Sequence, residues 1–163
     1  MQARAYRQAW LATRDRDEAL DLVQEAMLRL AHRYARRPPE EWPLLFQRIL
    51  QNAIRDWGRR RTVRQAWQRL LGKAADETHE DQRPDPHGRD PAARAGDAQA
   101  MDALDRALAE LPLRQRQAFL LRAWEGLDVA QTARAMGCSE GSVKTHYSRA
   151  VHALRQRLED HRP

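Results

Sequence analysis

The 163-residue sequence has a single cysteine, so it can hold neither an internal disulfide framework nor a multi-cysteine metal site. No apolar run approaches the roughly 18–20 residues that cross a bilayer. The opening MQARAYRQAW has arginines but lacks the apolar stretch of a secretory signal. These absences predict a soluble, cytoplasmic chain without membrane insertion. The six histidines are scattered with no HExxH pair, no glycine-rich phosphate loop is present, and no nucleophile stands beside an evident base. The chain is therefore expected not to be an enzyme, and no cofactor or metal is called for. Aromatic residues make up only 6%, although five of them are Trp. Lysine is nearly missing: only Lys73 and Lys144 interrupt an otherwise all-arginine set of 29 basic residues. Arginine forks suit phosphates and base edges.

The formal net charge of +6 is unevenly spread. Residues 1–71 carry +7, residues 72–98 carry −3, and residues 99–163 carry +2. Contact with a polyanion is thus expected in the first part, or by local placement in the last. The middle segment, GKAADETHEDQRPDPHGRDPAARAGDA, holds Pro84, Pro86 and Pro91 and not one Leu, Ile, Val or Phe. Such a stretch cannot bury enough apolar surface to offset chain entropy and reads as a flexible linker. A linker of this length spans on the order of 25–30 Å.

Both flanks read as helix. In residues 17–35, Leu20, Val23, Met27, Leu30 and Tyr34 recur at helical spacing, opposite Asp21, Gln24, Glu25, Arg29 and His32. Asp15 or Asp17 can cap this helix, and Pro38-Pro39 ends it. A shorter helix over about residues 3–13 buries Tyr6 and Trp10. The next begins near Glu40, with Leu45, Phe46, Ile49, Leu50, Ala53, Ile54 and Trp57 inward and Arg48, Asn52, Arg55, Asp56 and Arg59 outward, and continues to about Leu71. After the linker, helices are expected from about Gln99 to Glu110, from Pro112 through LRQRQAFLLRAW, over VAQTARAM, and from Ser139 onward with Val143, Tyr147, Ala150, Leu154 and Leu158 inward. The predicted fold is all-α: two small helical domains, 1–71 and 99–163, joined by a linker over 72–98.

Residues 128–150, DVAQTARAMGCSEGSVKTHYSRA, have the form of a helix-turn-helix within the second, four-helix domain. Asp128 and Ser139 are placed as caps, and Gly137 supplies the positive φ of a tight reversal. The second helix then presents Glu140, Gly141, Lys144, Thr145, His146, Ser148 and Arg149 outward. Gly141 costs about 1 kcal/mol relative to Ala but lets a phosphate approach the helix N-terminus.

These residues carry a resemblance. ALAELPLRQRQAFLLRAWEGLDVAQTARAMGCSEGSVKTHYSRAVHALRQRL resembles region 4 of bacterial sigma factors of the extracytoplasmic-function (ECF) group. DEALDLVQEAMLRL and FQRILQNAIRDWGRRR are similar to region 2 of the same family. The resemblance implies a subunit that joins core RNA polymerase, recognises −10 and −35 promoter elements and helps open double-stranded promoter DNA. It places the polymerase contact on Asp21, Gln24, Glu25 and Arg29. It places the −10 contacts, including the melted non-template strand, on Arg48, Asn52, Arg55, Asp56, Arg59, Arg60 and Arg61. Trp42 is a candidate for stacking on melted bases, and a specificity loop is expected near residues 36–43. Asp56 is expected to orient a neighbouring Arg or accept from a cytosine amino group. The −35 contacts fall on Lys144, Thr145, His146, Ser148 and Arg149. Family members are often held by an anti-sigma factor, which is a further partner implied. One rival reading is a conventional helix-turn-helix regulator, which would need a receiver or ligand pocket that 71 arginine-rich helical residues do not supply; a second is an adaptor that binds polymerase or a helical partner without reading DNA.

Overall fold

A computed structural model describes residues 2–72 and 94–159, and for residues 94–97 the backbone alone. Within these residues the secondary structure is helical throughout, in two compact units. The first holds α1 (Gln2–Thr13), α2 (Arg16–Tyr34), a 3₁₀ turn at Pro39–Glu41 and α3 (Trp42–Leu70). The second holds α4 (Arg94–Ala109), α5 (Leu113–Phe119) with its π-helical continuation Leu120–Trp124, α6 (Val129–Met136) and α7 (Glu140–Glu159). Residues 73–93, the bulk of the expected linker with His79 and His87, lie outside the described residues.

The first unit packs three helices on one another. Ala5, Ala9, Trp10 and Leu11 of α1 meet Ala19, Leu22, Val23, Ala26 and Leu30 of α2 and Phe46, Leu50, Ala53 and Ile54 of α3, all buried. The reversal between α1 and α2 takes two residues, Arg14 and Asp15. Arg14 adopts φ 55°, and its amide bonds the Trp10 carbonyl at 2.7 Å, while its guanidinium lies 4.4 Å over the Trp10 ring. Asp15 then caps α2 by accepting from the amides of Asp17 and Glu18 at 2.9 and 3.0 Å.

The inward face of α2 differs from the expected stripe. Val23 and Leu30 are buried, but Leu20 and Met27 are exposed and Tyr34 is half-buried. The core is completed instead by Ala19, Leu22 and Ala26. Small residues let helix axes approach closely, so the phase of burial follows the alanines rather than the largest side chains. Trp57, expected inside, is half-buried: its Nε1 donates to Glu18 Oε2 at 3.1 Å across the α2–α3 contact. Three glutamines are buried in this apolar setting. Gln51 Nε2 donates to Gln8 Oε1 at 2.5 Å and to Gln47 Oε1 at 3.4 Å, which joins α3 to α1.

The second unit starts earlier than expected. Helix α4 begins at Arg94, so the last residues of the 72–98 segment are helical; AARAGDAQA is rich in Ala, the best helix former, and only Gly96 opposes it. Pro112 is the N-cap of α5 rather than its first residue, with ψ 142°, outside the helical range. Arg116 is buried and donates to the Ala109 carbonyl at 3.2 Å, satisfying an orphan group at the end of α4. Phe119 and Tyr147 stack at 6.2 Å between centroids, and Arg122 sits 5.7 Å over the Tyr147 ring, which joins α5 to α7.

The Gln8–Gln51 bond gives a direct stability test. Gln51→Met keeps the volume but removes a partner from a buried amide, and should lower the unfolding free energy by about 1–3 kcal/mol. In urea titration, adding Gln8→Met should cost less than the sum of the two single changes.

Candidate functional site

Three exposed faces hold the residues singled out from the sequence. On α2, Asp21, Gln24, Glu25 and Arg29 are all exposed, and Arg29 pairs with Glu25 one turn away. Sequence periodicity missed their neighbours: Leu20, Met27 and Leu28 are also exposed, Leu28 to 60%. Leu28 falls outside the expected stripe, which was the available signal. Apolar side chains interleaved with both charge signs suit a protein partner better than a phosphate backbone.

On α3, steps of three and four place Arg48, Asn52, Arg55, Asp56 and Arg59 on one face. Arg48 and Arg59 are exposed, and the other three are half-buried. Asp56 Oδ1 lies 3.3 Å from an Arg59 guanidinium nitrogen. Arg55 Nε is buried without a hydrogen-bond partner. Arg60 borders the face and is exposed. Arg61 is not part of it: its guanidinium bonds the Thr13 carbonyl at 3.4 Å and lies 5.3 Å over the Trp57 ring, so it ties α3 to the end of α1. The helical phase of residue 61 is the reason. Trp42 opens α3 half-buried, its indole N–H donating to the Arg37 carbonyl at 3.1 Å. That bond, with Glu41 N to Pro38 O at 3.0 Å, shapes the loop over 36–43.

The third face is built by local capping. Asp128 and Gln131 form a reciprocal box: the Gln131 amide donates to Asp128 Oδ1 at 2.7 Å, and the Asp128 amide donates to Gln131 Oε1 at 3.0 Å. Gly137 has φ 64°, and the Cys138 amide reaches back to the Ala133 carbonyl at 3.1 Å, a Schellman closure of α6. Ser139 Oγ accepts from the Ser142 amide at 3.1 Å and caps α7. Two helices are thereby joined through three residues. Lys144, Thr145, Ser148 and Arg149 are exposed, His146 is half-buried, and Val143, Ala150 and Leu154 are buried behind them. Gly141 is exposed in the first turn, and a Cβ there would meet only Ser139 Oγ at 3.9 Å.

His146 titrates below its ordinary 6.5, first because burial disfavours the cation and then because Arg114 and Arg149 repel it. Among the described residues, no three His, Cys, Asp or Glu side chains gather as a metal site, and no helix is long and apolar enough to cross a membrane.

Residues 101–154 match the family described as Sigma-70, region 4. The RNA polymerase sigma-E factor of Streptomyces antibioticus is 31% identical over 144 residues, which is 87% of this chain and 71% of that protein. The ECF RNA polymerase sigma factor SigM of Mycobacterium tuberculosis is 33% identical over 147 residues, covering 89% of this chain and 66% of SigM. Among solved structures, the sigma factor RpoE of Bartonella quintana, crystallised with the anti-sigma factor NepR, shares the fold with a TM-score of 0.66. That likeness has 23% identity and covers 99% of this chain and 93% of RpoE. This chain belongs to the sigma-70 family of RNA polymerase sigma factors, in its ECF group. The activity of that class is promoter selection as a polymerase subunit, so the lone-regulator alternative is not favoured.

Two measurements follow from the third face. In an NMR titration, His146 should show a midpoint below 6.5, and Arg149→Ala should move it upward by removing a like charge. Because the unfolded chain binds this proton first, the stability involved is complete above pH 6.5 and declines as pH falls through the folded midpoint. Gly141→Ala should raise stability by about 1 kcal/mol and at the same time weaken duplex binding if phosphate approaches the first turn of α7.

Proposed function

We propose that the two units divide the work of promoter recognition between them. Residues 1–71 dock core RNA polymerase through Asp21, Gln24, Glu25 and Arg29 on α2, with Leu20, Met27 and Leu28 supplying apolar contact. Arg48, Asn52, Arg55, Asp56, Arg59 and Arg60 of α3 engage the −10 element. An amide at Asn52 can hydrogen-bond an extruded base, while the arginines follow the backbone of the melted non-template strand. Arg61 holds the unit together. Residues 99–163 lay α7 in the major groove at the −35 element, with Arg149 suited to fork onto guanine and Thr145 to meet a thymine methyl or a phosphate. Residues 72–98 act as the tether between them. Each contact is weak alone, and joining them raises the effective concentration of the second once the first is made.

The observation that carries this reading is that both helices present their polar side chains outward from a packed apolar face. Arg48, Asn52 and Arg59 lie opposite Phe46, Leu50 and Ile54, and Lys144, Thr145 and Arg149 lie opposite Val143, Ala150 and Leu154. The protein performs no catalysis of its own and works in the cytoplasm, where its partners are core RNA polymerase and promoter DNA. An anti-sigma protein is a further partner, as one is for RpoE of Bartonella quintana.

Gel filtration with bacterial core RNA polymerase at about 0.2 M salt tests the docking. Co-elution at one-to-one stoichiometry is expected, and Asp21→Lys with Glu25→Lys should abolish it. Absence of co-elution from a folded wild-type sample would remove the reading. Asn52→Ala and Arg149→Ala should both reduce open-complex formation. Arg149→Ala should cost about 1–3 kcal/mol in duplex binding and relax one base preference, whereas Asn52→Ala should leave −35 duplex affinity unchanged.

A further inference from the structure

Beyond Gly58, α3 continues through RRRTVRQAWQRL with no carboxylate. Val63, Trp67, Leu70 and, at the C-cap, Leu71 are 56%, 61%, 79% and 69% exposed. Steps of four, seven and eight residues put all four on one helix face. Large apolar side chains exposed together on one helix face are a candidate interaction surface. Its borders are basic. Arg60 and Arg64 flank one edge, are exposed, and make no ion pair among the described residues. Beside them a cleft of about 250 Å³ separates α3 from the α1–α2 turn, lined by Thr13, Trp57, Arg60, Arg64, Gln65 and Gln68. The cleft also holds Arg61 and two carboxylates, Asp15, which caps α2, and Glu18, which accepts from the Trp57 indole, so its three arginines outnumber its two acids.

We propose that this face docks an acidic amphipathic helix of a protein partner. Its apolar side chains would cover Val63, Trp67, Leu70 and Leu71, and its carboxylates would meet Arg60 and Arg64. The apolar stripe lies beyond the α3 residues proposed for the promoter and shares only Arg60 with them, and the inference is tested at Trp67, Leu71 and Arg64, which the promoter reading does not use. Three of the four apolar residues are aliphatic and offer no ring for base stacking, which disfavours a nucleic acid strand. A second copy of the same stripe would bring arginines against arginines. A fluid bilayer offers no directional partner for the Gln68 amide, which lies one turn from Arg64 on the flank of the stripe. A helix with apolar anchors at i, i+4 and i+7 uses all of these features.

The test uses the full chain and a fluorescein-labelled synthetic helical peptide with Leu at i, i+4 and i+7 and Glu elsewhere. Controls are a scrambled peptide of the same composition, a peptide with Lys in place of Glu, and phosphatidylglycerol vesicles. Anisotropy should show the acidic striped peptide binding at least about tenfold tighter than either control peptide. Trp67→Ser with Leu71→Ser should remove that preference, and so should Arg64→Glu. Arg64→Glu should also gain affinity for the Lys peptide, a reversal that unfolding cannot produce. Equal binding of the three peptides would overturn the proposal. So would unchanged affinity in the variants, or vesicle binding or dimerisation through the stripe in place of peptide binding.

Discussion

The first unit depends on one helix serving two surfaces. Phe46, Leu50, Ala53 and Ile54 of α3 fill the space between α1 and α2, and Gln51 reaches Gln8 within that packed interior. A buried amide pair is directional, so it sets the register of α3 against α1 in a way that apolar contact alone does not. With the inward face pinned, the outward residues have no freedom of position. Arg48 and Arg59 are held about 16 Å apart along the axis by the helical rise, with Asn52 and the Asp56–Arg59 pair between them. The same helix then runs past its packing partners and turns an apolar stripe to solvent.

The second unit solves a different problem, the aiming of α7. Its orientation is not left to the core alone. The Asp128–Gln131 box, the left-handed Gly137 and the Ser139 cap each satisfy backbone groups that a helix end leaves open. Together they define the three-residue reversal between α6 and α7. The scaffold behind is secured by the Phe119–Tyr147 stack and by Arg157, which bonds the Ala107 carbonyl at 3.4 Å and pairs with Glu110 at 3.2 Å. Lys144, Thr145 and Arg149 therefore project from a braced helix.

Charge is used sparingly and in place. Arg116 and Arg61 serve carbonyl groups within their own units, and Arg29, Arg59 and Arg157 have acidic partners. The arginine count of the sequence thus overstates the cations available to DNA. It is the exposed subset on two helix faces, rather than the total, that the proposed promoter contacts draw on.

Sequence alone determined the helical content, the two-unit plan, the capped turn at 137–139 and the family. Those features rest on local chemistry: periodic apolar residues, Asp and Ser at caps, Gly where φ is positive. It also placed Arg48, Asn52, Lys144 and Arg149 on outward faces, because a strongly amphipathic helix has one way to bury itself. Tertiary structure decided the rest. Which of two neighbouring apolar sets of α2 turns inward was settled by the close approach that Ala19 and Ala26 permit, which left Leu20, Met27 and Leu28 outside. Gln8, Gln47, Gln51 and Arg116 became interior residues because partners distant in sequence met their hydrogen bonds. The helical phase of Arg61 already turns it away from the candidate face and toward Trp57, while its bond to the Thr13 carbonyl exists only once α1 has packed beside α3.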